Sequence, residues 1–264
     1  MGKHPLFAIN QHTPRKRFSQ NFLQDHAMIE RIAQVISPQM GQRLLEIGPG
    51  FGALTVKILP KVGTLDAVEL DRDIAPKLTA TCESLGKLTL HLTDILKFDF
   101  SILNAPTHTL RIFGNLPYQI STPLLFHCVN YRSFIQDMHF MLQKEVVERL
   151  AAKPNTKSYG RLSVMIQTYF DVTPLFIVPN TAFYPKPKVT SQIVRLIPKT
   201  NAPCLKDPIR FTYLVKQAFN HRRKMLRNSL CDDLDIDKLL TLNINPEFRP
   251  EQLTVTDFIR ISEA

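Results

Sequence analysis

From Met28 the apolar residues recur at Met28, Ile29, Ile32, Ala33, Val35 and Ile36, the spacing of a helix with one buried face. The period then changes. Leu44 to Ile47 is a short apolar run, Gly48-Pro49-Gly50-Phe51-Gly52 is a turn, and Ala53 to Leu59 returns to helical spacing. The cycle repeats as a strand over Leu65 to Glu69, a helix over Asp73 to Leu85 and a strand over Leu88 to Leu92. Strands alternating with helices predict a parallel sheet covered on both faces.

Leu110 to Phe113 predicts a further strand, with a helix from about Thr122, an apolar run over Met138 to Leu142, and helices over Lys144 to Ala152 and Leu162 to Phe170. Two strand-like runs, Thr173 to Val178 and Gln192 to Ile197, flank the proline-rich Pro179 to Lys188. Joined by one loop without a helix, they should pair antiparallel and add a hairpin to the sheet's edge. Pro198 to Pro208 carries three prolines and reads as a linker, followed by helices over Tyr213 to Leu226 and Ile236 to Leu242. The expected organisation is an N-terminal arm and α/β domain over 1–198, a linker over 199–208 and a small helical domain over 209–264.

Composition narrows the function. With 264 residues, 44% of them hydrophobic, the chain can bury a sizeable core, which excludes a disordered protein. The four cysteines are scattered without a C-x-x-C pair, so neither a zinc site nor a disulfide framework is expected. No apolar run approaches the ~18 residues that cross a bilayer, and the basic N-terminus lacks the apolar stretch of a leader. The expectation is a soluble cytoplasmic protein that uses no metal and no membrane. Lysine and arginine total 33 against 23 acids, a formal charge of +10, which favours a nucleic-acid partner. Lys3, Arg15, Lys16 and Arg17 form one basic cluster and Arg222, Arg223, Lys224 and Arg227 another, although an exposed helix face accounts for the second as well.

Two motifs carry chemistry. The glycine turn lets the backbone bend sharply after a strand and approach a ligand closely. Glu69 ends the next strand, where an acid can bind a ribose diol, but G-x-G-x-G is not the G-x-G-x-x-G of dinucleotide folds. Asp94 ends the third strand, where its carboxylate would accept from a cofactor's adenine amino group or cap a turn. The second motif is Asn115-Leu116-Pro117-Tyr118. The Asn115 side-chain oxygen and the Leu116 carbonyl, fixed by Pro117, would each accept one N–H of an exocyclic amine. Tyr118 would stack on the base, with Phe183 on its other face unless Phe183 belongs to a packed edge. Such a slot suits methyl transfer to an amino nitrogen, with the donor held beside it by the glycine turn.

Gln20-Asn21-Phe22-Leu23, Glu46-Ile47-Gly48-Pro49-Gly50, Glu69-Leu70-Asp71, Asn115-Leu116-Pro117-Tyr118 with Ile120-Ser121-Thr122, and Phe219-Asn220-His221-Arg222-Arg223-Lys224 together resemble the ribosomal RNA adenine dimethyltransferases, above all their bacterial small-subunit branch. The likeness runs from about Arg15 to the C-terminus. It implies a class I S-adenosylmethionine-dependent methyltransferase fold, Rossmann-like, with a mostly parallel seven-stranded sheet. It further implies dimethylation of N6 of two adjacent adenosines in the 3′-terminal hairpin loop of 16S rRNA within the immature small subunit; a monomer is expected. By resemblance the cofactor contacts fall on Asn21, Leu23, Gly48, Glu69, Asp94 and Asn115, with Gly50 of the glycine turn expected beside them, and the charge of Arg222, Arg223, Lys224 and Arg227 predicts RNA contact there. Ser19 and Gln119 depart from the family's usual glycine and asparagine. A related large-subunit methylase, a DNA adenine methylase and an RNA-binding assembly checkpoint are the alternatives.

Overall fold

The computed structural model describes residues 21–264 apart from Asp232; the arm residues Lys3, Arg15, Lys16, Arg17, Ser19 and Gln20 lie outside the described part. Contacts divide the chain into two units: one joins the chain up to Val147 with Thr173–Pro198, the other joins Glu148–Val172 with Lys199–Ala264. This division differs from the expected 1–198, 199–208 and 209–264, because the chain from Glu148 to Val172 packs with the C-terminal helices.

The first unit is built on strands β2 (Arg43–Ile47), β3 (Thr64–Glu69), β4 (Lys87–Leu92), β5 (Leu110–Asn115), β6 (Ile135–Gln143), β7 (Phe170–Val178) and β9 (Ser191–Pro198), in the order β4-β3-β2-β5-β6-β9-β7. β2 through β6 are parallel neighbours, and β9 runs antiparallel to β6. β9 thus lies inside the sheet and β7 forms its edge. A two-stranded ribbon, β1 (Phe22–Leu23) with β8 (Phe183–Tyr184), stands apart and escaped the periodicity because each strand has only two residues.

Helix α1 (His26–Ile36) starts where the Asp25 carboxylate accepts from the Met28 N–H at 3.0 Å and buries Ile29, Ile32, Ala33 and Ile36. Helices α2 (Thr55–Val62), α3 (Ala75–Cys82) and α4 (Ser121–Asn130) follow β2, β3 and β5, and α5 (Lys144–Leu150) continues directly from β6. The chain order reverses at β2, which has β3 on one side and β5 on the other. At such a reversal the loops after neighbouring strands diverge and leave a crevice at the carboxyl ends.

The second unit contains α6 (Arg161–Tyr169), α7 (Pro208–Asn220), α8 (Leu226–Ser229), α9 (Ile236–Thr241) and α10 (Val255–Ser262). The expected helix over Tyr213 to Leu226 is shifted and split. Pro208 opens α7 instead of breaking it, since a first-turn proline needs no N–H, and Asp207 caps the helix through the Ile209 and Arg210 N–H groups. Helix α10, unforeseen in the sequence, begins at a reciprocal cap between Thr254 and Asp257. Tyr159, Phe219 and Phe258 stack in series at 6.1 and 5.6 Å inside this unit.

Candidate active site

A cavity of about 270 Å³ occupies the crevice at the reversal point. Its wall is made by the ends of four parallel strands: Ile47 and Gly48 after β2, Glu69 at the end of β3, Thr93 and Asp94 after β4, and Asn115 at the end of β5. Asn21, Leu23, Gly50, Leu116, Pro117 and Tyr118 line it too. Every residue expected to hold cofactor or to act on the base therefore meets here, with the exception of Phe183.

The glycine turn enters the wall in a conformation that side chains disfavour, with φ of +65° at Gly48, +55° at Gly50 and +86° at Gly52. Its shape is held by Glu69, whose Oε2 accepts from the Gly50 N–H at 3.2 Å while Oε1 accepts from the Leu70 and Asp71 N–H groups at 2.9 Å. Burial raises the Glu69 pKa, and these three N–H donors oppose the shift. Asp94 performs the capping role weighed for it, since Oδ1 accepts from the Leu96 N–H at 3.0 Å, and it also faces the cavity.

On the opposite rim, Asn115 Nδ2 donates to the Asn21 carbonyl at 2.9 Å. A carbonyl oxygen can only accept, so the amide nitrogen faces Asn21 and Oδ1 is the acceptor left over. The Leu116 N–H is bound to the Met141 carbonyl at 3.2 Å, and the Leu116 carbonyl accepts from no donor among the described residues. The Tyr118 hydroxyl meets Ser191 Oγ at 3.0 Å, which fixes the ring's far end against β9.

Several contributors were missed in the sequence. Gly114 precedes Asn115 in β5, and a Cβ there would stand 2.4 Å from the Ile47 carbonyl oxygen, so only glycine lets β5 lie so close to β2. Phe22 and Phe51 pack at 4.8 Å on the cavity wall. Glu46 also lines the cavity; it is buried, accepts from the Thr55 hydroxyl at 2.6 Å, and desolvation raises its pKa to about 8 against the Thr55 bond, with Glu69 adding to the rise. A single glycine in a strand is a sequence sign of close backbone approach and marks Gly114. Glu46 stands in the Glu46-Ile47-Gly48-Pro49-Gly50 motif, but the period of the strand does not show that its side chain is buried.

One expectation needs correction. Phe183 is 5% exposed and packs in the core with Leu23, its partner across the ribbon; it does not line the cavity. Opposed residues in an antiparallel pair share a face, so pairing with buried Leu23 turns Phe183 inward. Of the basic cluster, Arg222 is committed to Glu251 at 2.6 Å and to the Thr156 and Lys157 carbonyls at 3.3 and 2.8 Å. These contacts join the turn at Thr156 and Lys157 to Glu251 within the second unit. Arg227 stands 3.6 Å from Glu247, whereas the side chains of Arg223 and Lys224 are exposed and meet no partner among the described residues.

Among the described residues no helix is long and apolar enough to cross a membrane. The family described as Ribosomal RNA adenine dimethylase matches residues 11–264. A Ribosomal RNA small subunit methyltransferase A of Hahella chejuensis is 51% identical over 253 residues, 96% of this chain and 93% of its own length. One of a Marinomonas species is 51% identical over 252 residues, 95% of each. Among solved structures, a dimethyladenosine transferase from Plasmodium falciparum superposes with a TM-score of 0.79 at 26% identity, covering 91% of this chain and 95% of that one. The fold is that of the class I methyltransferases, and the chain belongs to the ribosomal RNA adenine dimethylase family.

Proposed function

We propose that the protein uses S-adenosylmethionine to dimethylate N6 of two adjacent adenosines in the 3′-terminal hairpin loop of 16S rRNA, during small-subunit biogenesis. The reading rests on one observation: Gly48, Gly50, Glu69 and Asp94 open onto the same cavity as Asn115, Leu116 and Tyr118. The small-subunit name of the relatives favours that subunit over the large one.

The residues present fit the cofactor. Gly48 and Gly50 bring bare backbone to the cavity, Glu69 keeps acceptor capacity for ribose hydroxyls beside its three N–H bonds, and the second Asp94 oxygen is available to an adenine amino group. Asn21 and Leu23 complete this side of the pocket. When bound, S-adenosylmethionine supplies an electrophilic methyl group on a sulfonium.

The chain's own residues prepare the nucleophile. An adenine N6 lone pair is delocalised into the ring until its hydrogens are held out of plane. Asn115 Oδ1 and the Leu116 carbonyl accept those hydrogens and stabilise the positive charge that develops on nitrogen. Pro117 restricts Leu116 to extended backbone and so directs its carbonyl. Tyr118, held by Ser191, offers its face to the base; stacking on an aromatic is worth ~1 to 3 kcal/mol, comparable to the cost of unstacking. The second unit docks the RNA backbone through Arg223 and Lys224, with Arg227 beside them, and the protein acts in the cytoplasm as a monomer.

Mass spectrometry of 16S rRNA from under-methylated 30S particles incubated with the protein and S-adenosylmethionine tests the reading. Two dimethyladenosines in the terminal hairpin are expected; unmodified adenosines would reject it.

A further inference from the structure

The helical unit carries a shallow, open groove that the catalytic cavity does not explain, bounded by Arg161, Pro208, Ile209, Thr212, Tyr213 and Lys216. Along α7, Tyr213, Lys216 and Asn220 follow Ile209 at helical intervals and form one stripe. Phe211, Leu214, Val215 and Ala218 fill the buried face of the same helix. Ile209 is 83% exposed and Tyr213 44% exposed, although the helix already has a complete apolar face turned to its own core. Folding therefore gives no reason for these two side chains to stand in solvent.

The charged side chains that line the groove, Arg161 and Lys216, are both cationic. Lys216 and Arg161 are exposed on the groove, and among the described residues no acid lines it. The nearest carboxylate along the chain, Asp207, is occupied in capping α7. Past Asn220 the chain runs on to the exposed Arg223 and Lys224, so the cationic character continues beyond the stripe.

We propose that this stripe is an RNA-docking surface, on which an unpaired base of the substrate RNA stacks on Tyr213 while Lys216 and Arg161 hold the flanking phosphates. The proposal rests on the reading of the protein as an enzyme of ribosomal RNA. An aromatic ring between cations suits a nucleotide because every base offers a π-face and every linkage a phosphate. The planar guanidinium of Arg161 matches phosphate oxygens, and Lys216 contributes a point charge. Ile209 extends the apolar platform beneath the stacked base.

The test uses the full chain and under-methylated 30S particles, with equilibrium binding measured over a salt series and folding verified by circular dichroism. Tyr213→Ala is expected to weaken binding about 5- to 100-fold and Tyr213→Phe by no more than about twofold. Lys216→Ala should lower the slope of log K against log salt by about one. Wild-type affinity and salt slope in Tyr213→Ala and Lys216→Ala would overturn the proposal. So would a Tyr213→Ala protein that loses self-association yet binds the particles normally, because the stripe would then join copies of the chain. Wild-type protein that binds through these residues but leaves the adenosines unmethylated would keep the docking surface and reject the catalytic reading.

Discussion

At the scale of single residues, the site depends on side chains whose second function is to be held still. Asn115 uses its nitrogen to grip the Asn21 carbonyl, which leaves the oxygen aimed as an acceptor. Asn115→Ala is expected to slow methyl transfer about 100- to 1,000-fold, as loss of one preorganised charge-stabilising group does elsewhere. Single-turnover rates with labelled cofactor measure this, and a rate within fivefold of wild type would remove Asn115 from the chemistry. Glu46 makes a prediction about pH. Its carboxyl, raised from 4.5 to about 8, keeps a proton in the folded state that the unfolded chain releases, so stability falls as pH rises through that window. His139 acts oppositely at lower pH: desolvation outweighs Asp137 and lowers its pKa from 6.5 to about 4, so stability falls as pH drops below 6.5. The two overlap until pH 6.5, above which Glu46 acts without His139. Between pH 6.5 and 8 wild type should lose about 2 kcal/mol relative to Glu46→Gln in urea melts; parallel pH profiles for the two proteins would refute a protonated Glu46.

At the scale of elements, contacts between neighbouring strands and helices set the geometry of the rim. Gly114→Ala would drive a methyl group into the Ile47 carbonyl, forcing β5 away from β2 and carrying Asn115 with it. Overpacking of this kind costs ~1 to 3 kcal/mol, and activity should fall further than stability because catalytic alignment is steeper in distance than packing is. Thermal melts and initial rates on the same variant separate the two effects; a stable variant with wild-type rates would show that the strands tolerate the methyl group. At the far end of the sheet, Arg111 binds both oxygens of Asp137 at 2.9 and 2.8 Å and also accommodates the Ile36 carbonyl at 2.6 Å, joining β5 and β6 to the end of α1. Arg111→Met would leave the half-buried Asp137 carboxylate with His139, 3.8 Å away, and cost ~3 kcal/mol, whereas Arg111→Met with Asp137→Leu should regain most of it. Equal losses in the single and double variants would mean that the carbonyl contacts, not the ion pair, matter. The element order itself was legible in advance: the glycine turn, the alternating strands and the hairpin at the edge all appear where the periods change. The β1–β8 ribbon was not, because two-residue strands have no period to read.

At the scale of the whole molecule, one consequence is thermodynamic. A cofactor that binds only the folded α/β unit stabilises that unit by about 2.7 kcal/mol at a hundredfold excess over Kd. S-adenosylmethionine should therefore raise its melting midpoint by about 5 °C or more, and Glu69→Ala should shrink the shift. A midpoint unmoved by saturating cofactor would contradict the assignment of the cavity.

The chain's local patterns by themselves determined the order of the main strands and helices of the α/β part, its parallel class, and the glycine turn and Asn115-to-Tyr118 motif of the rim, because helix period, strand period and turn chemistry are all expressed over a few neighbouring residues. Tertiary structure alone decided that Phe183 is core, that Arg222 pairs with Glu251, that Gly114 must be glycine and that Glu46 is buried. Each of these depends on which distant segment lies alongside, and a register of one residue is enough to move a side chain from one face of a strand to the other.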